Sequence, residues 1–146
     1  MPDRVPTDAD LDDPLDHPLL DPARLREVRA VMSRHVGVVR DALSLSSAAG
    51  ALGAIGHGLA AVNRVGESAT DDSDSSTTSP VEPSRRSWEA TNILTVATAM
   101  VAAASTRTES RGCHRRSDHP TSRPEWVRHL DVALDAIGSL SVKERS

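Results

Sequence analysis

The chain has 146 residues, enough for one ordinary domain, and a fold of that size buries roughly 70% of the surface its unfolded chain exposes. Apolar residues make up 38% and aromatics 1%, with two Trp and neither Phe nor Tyr, so any core must be assembled from Ala, Val, Leu, Ile and Met. A formal charge of -4 and an isoelectric point near 5.8 argue against a nucleic-acid partner and against attachment to a membrane surface, while the single Cys113 excludes an internal disulfide framework and a multi-cysteine zinc site.

Residues 1–20 intersperse Asp3, Asp8, Asp10, Asp12, Asp13 and Asp16 with Pro2, Pro6, Pro14 and Pro18, and are expected to form a disordered acidic arm with little to bury. Met1 is followed by Pro, Asp and Arg rather than by a basic and then apolar segment, so no export signal and a cytoplasmic location are expected. Asp21-Pro22 is a helix start, with Asp as cap and Pro at a position whose N–H has no partner. Leu25, Val28, Met32 and Val36 then recur at helical steps, with Arg24, Arg26, Arg29 and Arg34 on the other faces. Gly37 interrupts this helix. Asp41 can cap a second one carrying Leu43, Leu52, Ile55, Leu59 and Val62 on one side, weakened by Gly50, Gly53, Gly56 and Gly58.

Residues 66–86, rich in Ser, Thr and Asp with Pro80 and Pro83, read as a flexible linker. Ser87-Trp88-Glu89 opens the strongest helical pattern, with Ile93, Val96, Ala97, Met100, Ala103 and Ala104 on one stripe and Leu94 and Val101 beside it. No charge occurs from Ala90 to Thr106, but the run is short and alanine-rich for a membrane span, and a helix buried on most of its sides is expected. Past a polar loop the period becomes two. Trp126, Arg128, Leu130, Val132 and Leu134 alternate with Val127, His129, Asp131, Ala133 and Asp135, and Leu140-Ser141-Val142 can return as the second strand. The expected architecture is mainly α: a three-helix bundle within 21–146, with the arm at 1–20, the Ser-rich linker at 66–86 and a short β-hairpin at 126–143.

Little in the chain points to catalysis. The cluster Gly50, Gly53, Gly56 and Gly58 follows helical sequence and lacks the preceding strand that a dinucleotide fingerprint needs. Cys113, His114 and His119 lie close together without a fourth ligand at a zinc spacing, so no metal is expected. Cys113 stands among Arg111, His114, Arg115 and Arg116, a setting that favours a thiolate, but reads more simply as an incidental residue of an exposed basic loop. His35, His57 and His129 read as surface or rim residues, and His17 falls in the arm. Glu109-Ser110-Arg111-Gly112 is more specific: a rigid fork of donors, an acceptor and a residue free to take positive φ suit a loop that grips another polypeptide, or else one that caps its helix with solvated charges.

The segment Trp88-Glu-Ala-Thr-Asn-Ile-Leu-Thr-Val-Ala-Thr-Ala-Met, running into Arg107-Thr-Glu-Ser-Arg-Gly-Cys-His-Arg-Arg, resembles the carboxy-terminal domain of the L-aspartate oxidases. The earlier Leu25-Arg-Glu-Val and Met32-Ser-Arg-His-Val-Gly-Val-Val-Arg-Asp resembles that domain's first helix and the break after it. The wider family is the flavoprotein subunit of succinate dehydrogenase and fumarate reductase, whose members share a Glu-Ser-Arg-Gly-x-His loop after a long helix. The resemblance implies part of an FAD-dependent enzyme that oxidises L-aspartate to iminoaspartate, the first step of NAD biosynthesis from aspartate. It also implies that the flavin and the catalytic groups belong to regions preceding this one, so the chain is expected to bind no FAD and to be inert alone. Glu109, Ser110, Arg111 and His114 match the family loop and would hold this domain against an FAD-binding domain or subunit, with no catalytic role. The other reading of the residues is a stand-alone helical module that binds a protein or self-associates through the uncharged helix.

Overall fold

A computed structural model describes residues 19–63, 81–134 and 140–145, with the backbone alone for 57–63. Most of the acidic arm and of the Ser-rich linker, and the hairpin turn at 135–139, lie outside the described residues, as do the side chains of His57, Leu59 and Val62. The elements in chain order are α1 (Leu25–His35), β1 (Val39–Arg40), α2 (Ala42–Asn63), α3 (Arg85–Thr106), β2 (Arg115–Arg116), β3 (His129–Leu134) and β4 (Leu140–Arg145). The fold is mainly helical, three packed helices followed by an antiparallel strand pair, as the sequence leads one to expect.

The chain enters the core earlier than the arm at 1–20 allows, because Leu19 and Leu20 are buried and the Leu20 N–H donates to Thr91 Oγ1 of α3 at 2.8 Å. Asp21 then accepts from the Ala23 N–H at 2.8 Å, and a 3-10 turn over Pro22–Arg24 runs into α1. Val28 and Val36 are buried and Leu25 and Met32 partly so, the expected stripe. Asp41 and Ser44 form a reciprocal cap at the start of α2, the Ser44 N–H donating to Asp41 Oδ1 at 2.8 Å and the Asp41 N–H to Ser44 Oγ at 3.1 Å.

Two buried faces differ from expectation. In α2 the core side chains are Leu45, Ala48, Leu52 and Ile55, while Leu43 is 81% exposed. Leu43 sits two residues before Leu45, which at 3.6 residues per turn places it on nearly the opposite side. In α3 the buried residues are Ser87, Ala90, Leu94, Ala97, Val101 and Ala104, whereas Val96 is 57% and Met100 50% exposed. The larger side chains suggested a stripe one residue away from the true one, which is marked mainly by alanines that let the helices approach closely. The start of α3 also differs: Ser84 caps it and Ser87 is its third residue, the two hydroxyls completing a capping box, so Arg85 and Arg86 belong to the helix rather than to the linker. The polar residues of α3 stay within the helix, Thr91, Thr95, Thr98 and Thr106 each donating to the carbonyl four residues back.

The hairpin pairs His129 with Arg145, Val132 with Val142 and Leu134 with Leu140. It begins at 129 instead of 126 because Pro124 nucleates a 3-10 turn through Trp126. Along the alternating stripe of β3, Leu130 is half-buried while Val132 and Leu134 are exposed. A second pairing has no periodic signal in the sequence: β1 and β2 lie parallel, Val39 opposite Arg115 and Arg40 opposite Arg116. This two-residue ladder brings the break after α1 against the loop after α3.

Candidate functional site

The loop from Arg107 to Arg128 is organised around two carboxylates. Glu109 is wholly buried, and its oxygens accept from Arg107 Nη1 at 2.7 Å, Arg111 Nε at 2.8 Å, Arg111 Nη2 at 3.2 Å and the Arg123 N–H at 2.8 Å. The Arg111 guanidinium, helped by the Arg123 N–H and by Arg107, outweighs burial and holds the Glu109 carboxyl down to about 2. Asp118 is gripped side-on by Arg116, with Nε and Nη2 at 2.8 and 2.6 Å, and also accepts the Ala42 N–H at 2.9 Å. Arg116 holds its carboxyl well below the usual carboxylate range.

Arg116 is 3% exposed in its side chain and also donates through Nη1 to the Ala104 carbonyl at 3.0 Å, where the last turn of α3 leaves acceptors without helical partners. One arginine therefore closes the C-terminal end of α3 and orients the carboxylate that caps the N-terminal end of α2. Ser110 joins the same arrangement: its Oγ accepts from the Arg116 N–H at 2.8 Å and lies 2.8 Å from the His119 carbonyl. Gly112 takes φ +55, the left-handed conformation the loop reading anticipated, at the tip of a turn closed by paired backbone bonds between Arg111 and His114.

His114 is half-buried between charged neighbours. Its Nε2 lies 3.2 Å from the Arg107 carbonyl and its Nδ1 3.2 Å from Arg40 Nη1, so the ring donates at Nε2 and accepts at Nδ1, which requires the neutral form. Burial, followed by the charges of Arg40, Arg116 and Arg107, pushes its pKa down against the pull of the Arg107 carbonyl. Both ring nitrogens are engaged, so neither is free for a metal beside exposed Cys113. Among the described residues no group of three ligating side chains converges. His119 is half-buried with Nε2 4.0 Å from Asp118, and His129 is exposed at the start of β3. His35 is half-buried at the end of α1.

Arg107, Arg111, His114, Trp126, Arg128 and His129 are among the residues lining a cleft of about 530 Å³ between the loop and the hairpin. Trp126 lies between Arg107 and Arg128, whose guanidinium carbons are 5.3 and 5.7 Å from its ring centre. A second, apolar groove of about 850 Å³ runs between α1 and α3, lined by Val28, Met32, Ile93, Val96 and Met100 among others. The structure thus gathers Glu109, Ser110, Arg111 and His114 into one network, and Glu109 is buried and paired rather than solvated. Sequence reasoning missed Arg40, Arg107, Arg116, Asp118 and Arg123. Arg107 and Arg116 each stand two residues from the carboxylate they pair with, a local signal, whereas Arg40 meets His114 across 74 residues.

Comparison with known proteins follows these elements. Residues 25–143 match the family model described as the fumarate reductase flavoprotein C-terminal region. The L-aspartate oxidase of Streptomyces coelicolor is 41% identical over 127 residues, covering 86% of this chain and 20% of that protein. The L-aspartate oxidase of Mycobacterium tuberculosis is 46% identical over 48 residues, or 33% of this chain and 9% of that one. A point mutant of the E. coli quinol fumarate reductase FrdA chain shares the fold, with a TM-score of 0.56 at 19% identity over 85% of this chain and 20% of that chain. The chain belongs to the carboxy-terminal family of the fumarate reductase flavoproteins. Within it, the resemblance to the L-aspartate oxidases extends over most of this chain, which spans about a fifth of the length of the Streptomyces relative.

The Gly50–Gly56 cluster lies inside α2 rather than at a strand-to-helix turn, so no backbone N–H groups converge there on a pyrophosphate. Among the described residues no helix is long and apolar enough to cross a membrane.

Proposed function

We propose that this chain acts as the carboxy-terminal helical domain of an L-aspartate oxidase, docking against the flavin-binding region and contributing no catalytic group. The observation that carries this reading is the 41% identity with one such oxidase over 86% of the chain. The enzyme it serves would oxidise L-aspartate to iminoaspartate at FAD, feeding NAD biosynthesis in the cytoplasm, and the flavin would be held by the other region. This chain's part is mechanical. Arg116 and Asp118 tie the ends of α3 and α2 together, Glu109 gathers Arg107 and Arg111, and Ser110 and His114 hold the loop in register with the break after α1. Glu109, Ser110 and His114 thereby hold the loop rigid with Arg111, 44% exposed in its side chain, at its rim, suited to holding the helical domain against a second surface.

The test is a flavin absorbance spectrum and an aspartate-dependent peroxide assay on the purified chain, alone and mixed with a separately expressed flavin-binding region of an L-aspartate oxidase. The expected result is neither flavin nor turnover in the chain alone, and turnover that rises when the two are mixed. Flavin retained by the chain alone would overturn the reading. A mixture no more active than the flavin-binding region by itself would leave the stand-alone module as the better account.

A further inference from the structure

The charges of this chain are divided between two parts. The described residues carry 15 Lys and Arg against 10 Asp and Glu, whereas residues 1–18 carry six Asp against Arg4 alone. On the fold, Arg26 and Arg29 of α1 and Arg85 and Arg86 of α3 are exposed, and none has an ion pair among the described residues. Arg85 and Arg86 stand in the first turn of α3, which holds no acidic residue, so both oppose the positive end of the helix dipole. The acids of the same stretches are Glu27, Glu82 and Glu89, and Glu27 is already paired with Arg24.

Arg29 and Arg85 line the apolar groove of about 850 Å³ between α1 and α3 together with Met32, Val96 and Met100, and Glu89 is the one acid among the described residues that do so. An occupant of this groove must bring apolar side chains and negative charge. Residues 1–18 bring both, since Leu11 and Leu15 stand among Asp10, Asp12, Asp13 and Asp16. In an extended chain, which Pro14 favours, positions 11 and 15 point to the same side. Residues 64–80 are also acidic but contain no Leu, Ile or Met to anchor them. The arm is within reach, because Leu20 is tied to Thr91, one position and so about 100° around α3 from the groove residue Asn92. The stretch from Leu20 back to Leu11 spans up to about 30 Å when extended, enough to pass round a helix about 10–12 Å across. We propose that residues 1–18 lie along the α1–α3 groove of their own chain, with Leu11 and Leu15 against its apolar side chains and the aspartates against Arg29 and Arg85. The arm has too little apolar surface to fold by itself, and the groove supplies the missing half of the contact while the arm covers the exposed Val96 and Met100. This contact does not depend on the enzyme reading above.

The experiment uses the full chain with carbon-13 in its methionine methyl groups, so that Met32 and Met100 report on the groove. Cys113→Ser removes the one thiol, and Ala9→Cys carries a nitroxide on the arm. Cys113, Arg29 and Arg85 are exposed, so substitutions there spare the core, and circular dichroism checks that the fold is kept. The oxidised nitroxide should broaden both methyl signals relative to the reduced one. Leu11→Ser with Leu15→Ser, and separately Arg29→Glu with Arg85→Glu, should each cut that broadening at least about twofold. Methyl signals that the nitroxide leaves sharp, or a broadening that either pair of substitutions leaves unchanged, would overturn the proposal. So would equal broadening when the nitroxide is on one chain and the carbon-13 on another, mixed in equal amounts, because the occupant would then be a second copy.

Discussion

Replacing Arg116 by alanine tests whether one buried side chain holds the helix ends together. The substitution removes the side-on pair to Asp118 and the bond to the Ala104 carbonyl. Breaking a buried ion pair by deleting one partner costs about 3–5 kcal/mol, because the other charge and its neighbours are left in a dry site. The Asp118 side chain is 30% exposed and can partly rehydrate, which places the expectation near the lower end, about 3 kcal/mol. The lost helix-end contact adds about 0.5–1.5 kcal/mol. For a domain of this size each kcal/mol lowers the melting temperature by roughly 4 °C, so the variant should melt at least about 12 °C below the parent. The assay is thermal unfolding followed by circular dichroism at neutral pH, with Arg115→Ala as control. Arg115 is the exposed neighbour in β2, and its loss should cost less than about 0.5 kcal/mol. A melt for Arg116→Ala within about 2 °C of the parent, or an equal loss from Arg115→Ala, would refute the role given to Arg116.

The register of α3 predicts that Val101→Asp unfolds the chain, at a cost on the order of 4 kcal/mol, while Met100→Asp stays within about 1 kcal/mol of the parent. Chemical denaturation of both variants decides it, and a reversed order would mean the stripe is misplaced. Gly112→Ala should cost about 1 kcal/mol from backbone strain alone, since φ is +55 and nothing lies within 4 Å of the added carbon; an unchanged denaturation midpoint would show that the turn relaxes. The Glu109 carboxyl is held at about 2 in the folded chain against 4.5 unfolded, so the stability it contributes is fully present above pH 4.5 and lost as pH falls toward 2. The melting-temperature gap between the parent and Glu109→Gln should therefore narrow through that window, and a gap that stays constant would refute the pairing.

Elements whose signals are local were legible in the sequence. Asp21-Pro22 and Asp41 announce their helices by capping chemistry that involves only the next few residues, and both act as caps in the structure. Gly112 could be read for the same reason. The true stripe of α3 was obscured because Ala90, Ala97 and Ala104 carry little hydrophobic signal, although small residues are what a close helix contact requires. The loop was harder still. Asp118 caps a helix 76 residues before it, and Arg40 meets His114 across 74 residues, so no window along the chain contains both members of either pair.

The same distances separate what the loop does for itself from what it offers outward. All four donors on Glu109 come from within 14 residues of it, and the Ser110 hydroxyl is spent on Arg116 and His119, so neither has capacity left for a partner. The residues that match the family loop hold its shape, and attraction to a second surface must come from groups the loop positions but does not saturate. Arg111 meets that condition in part, because 44% of its side chain remains exposed. A Glu109 variant should then damage folding and docking together, whereas Arg111→Ala should weaken docking more than folding, which thermal melts set beside a titration with the flavin-binding region would show.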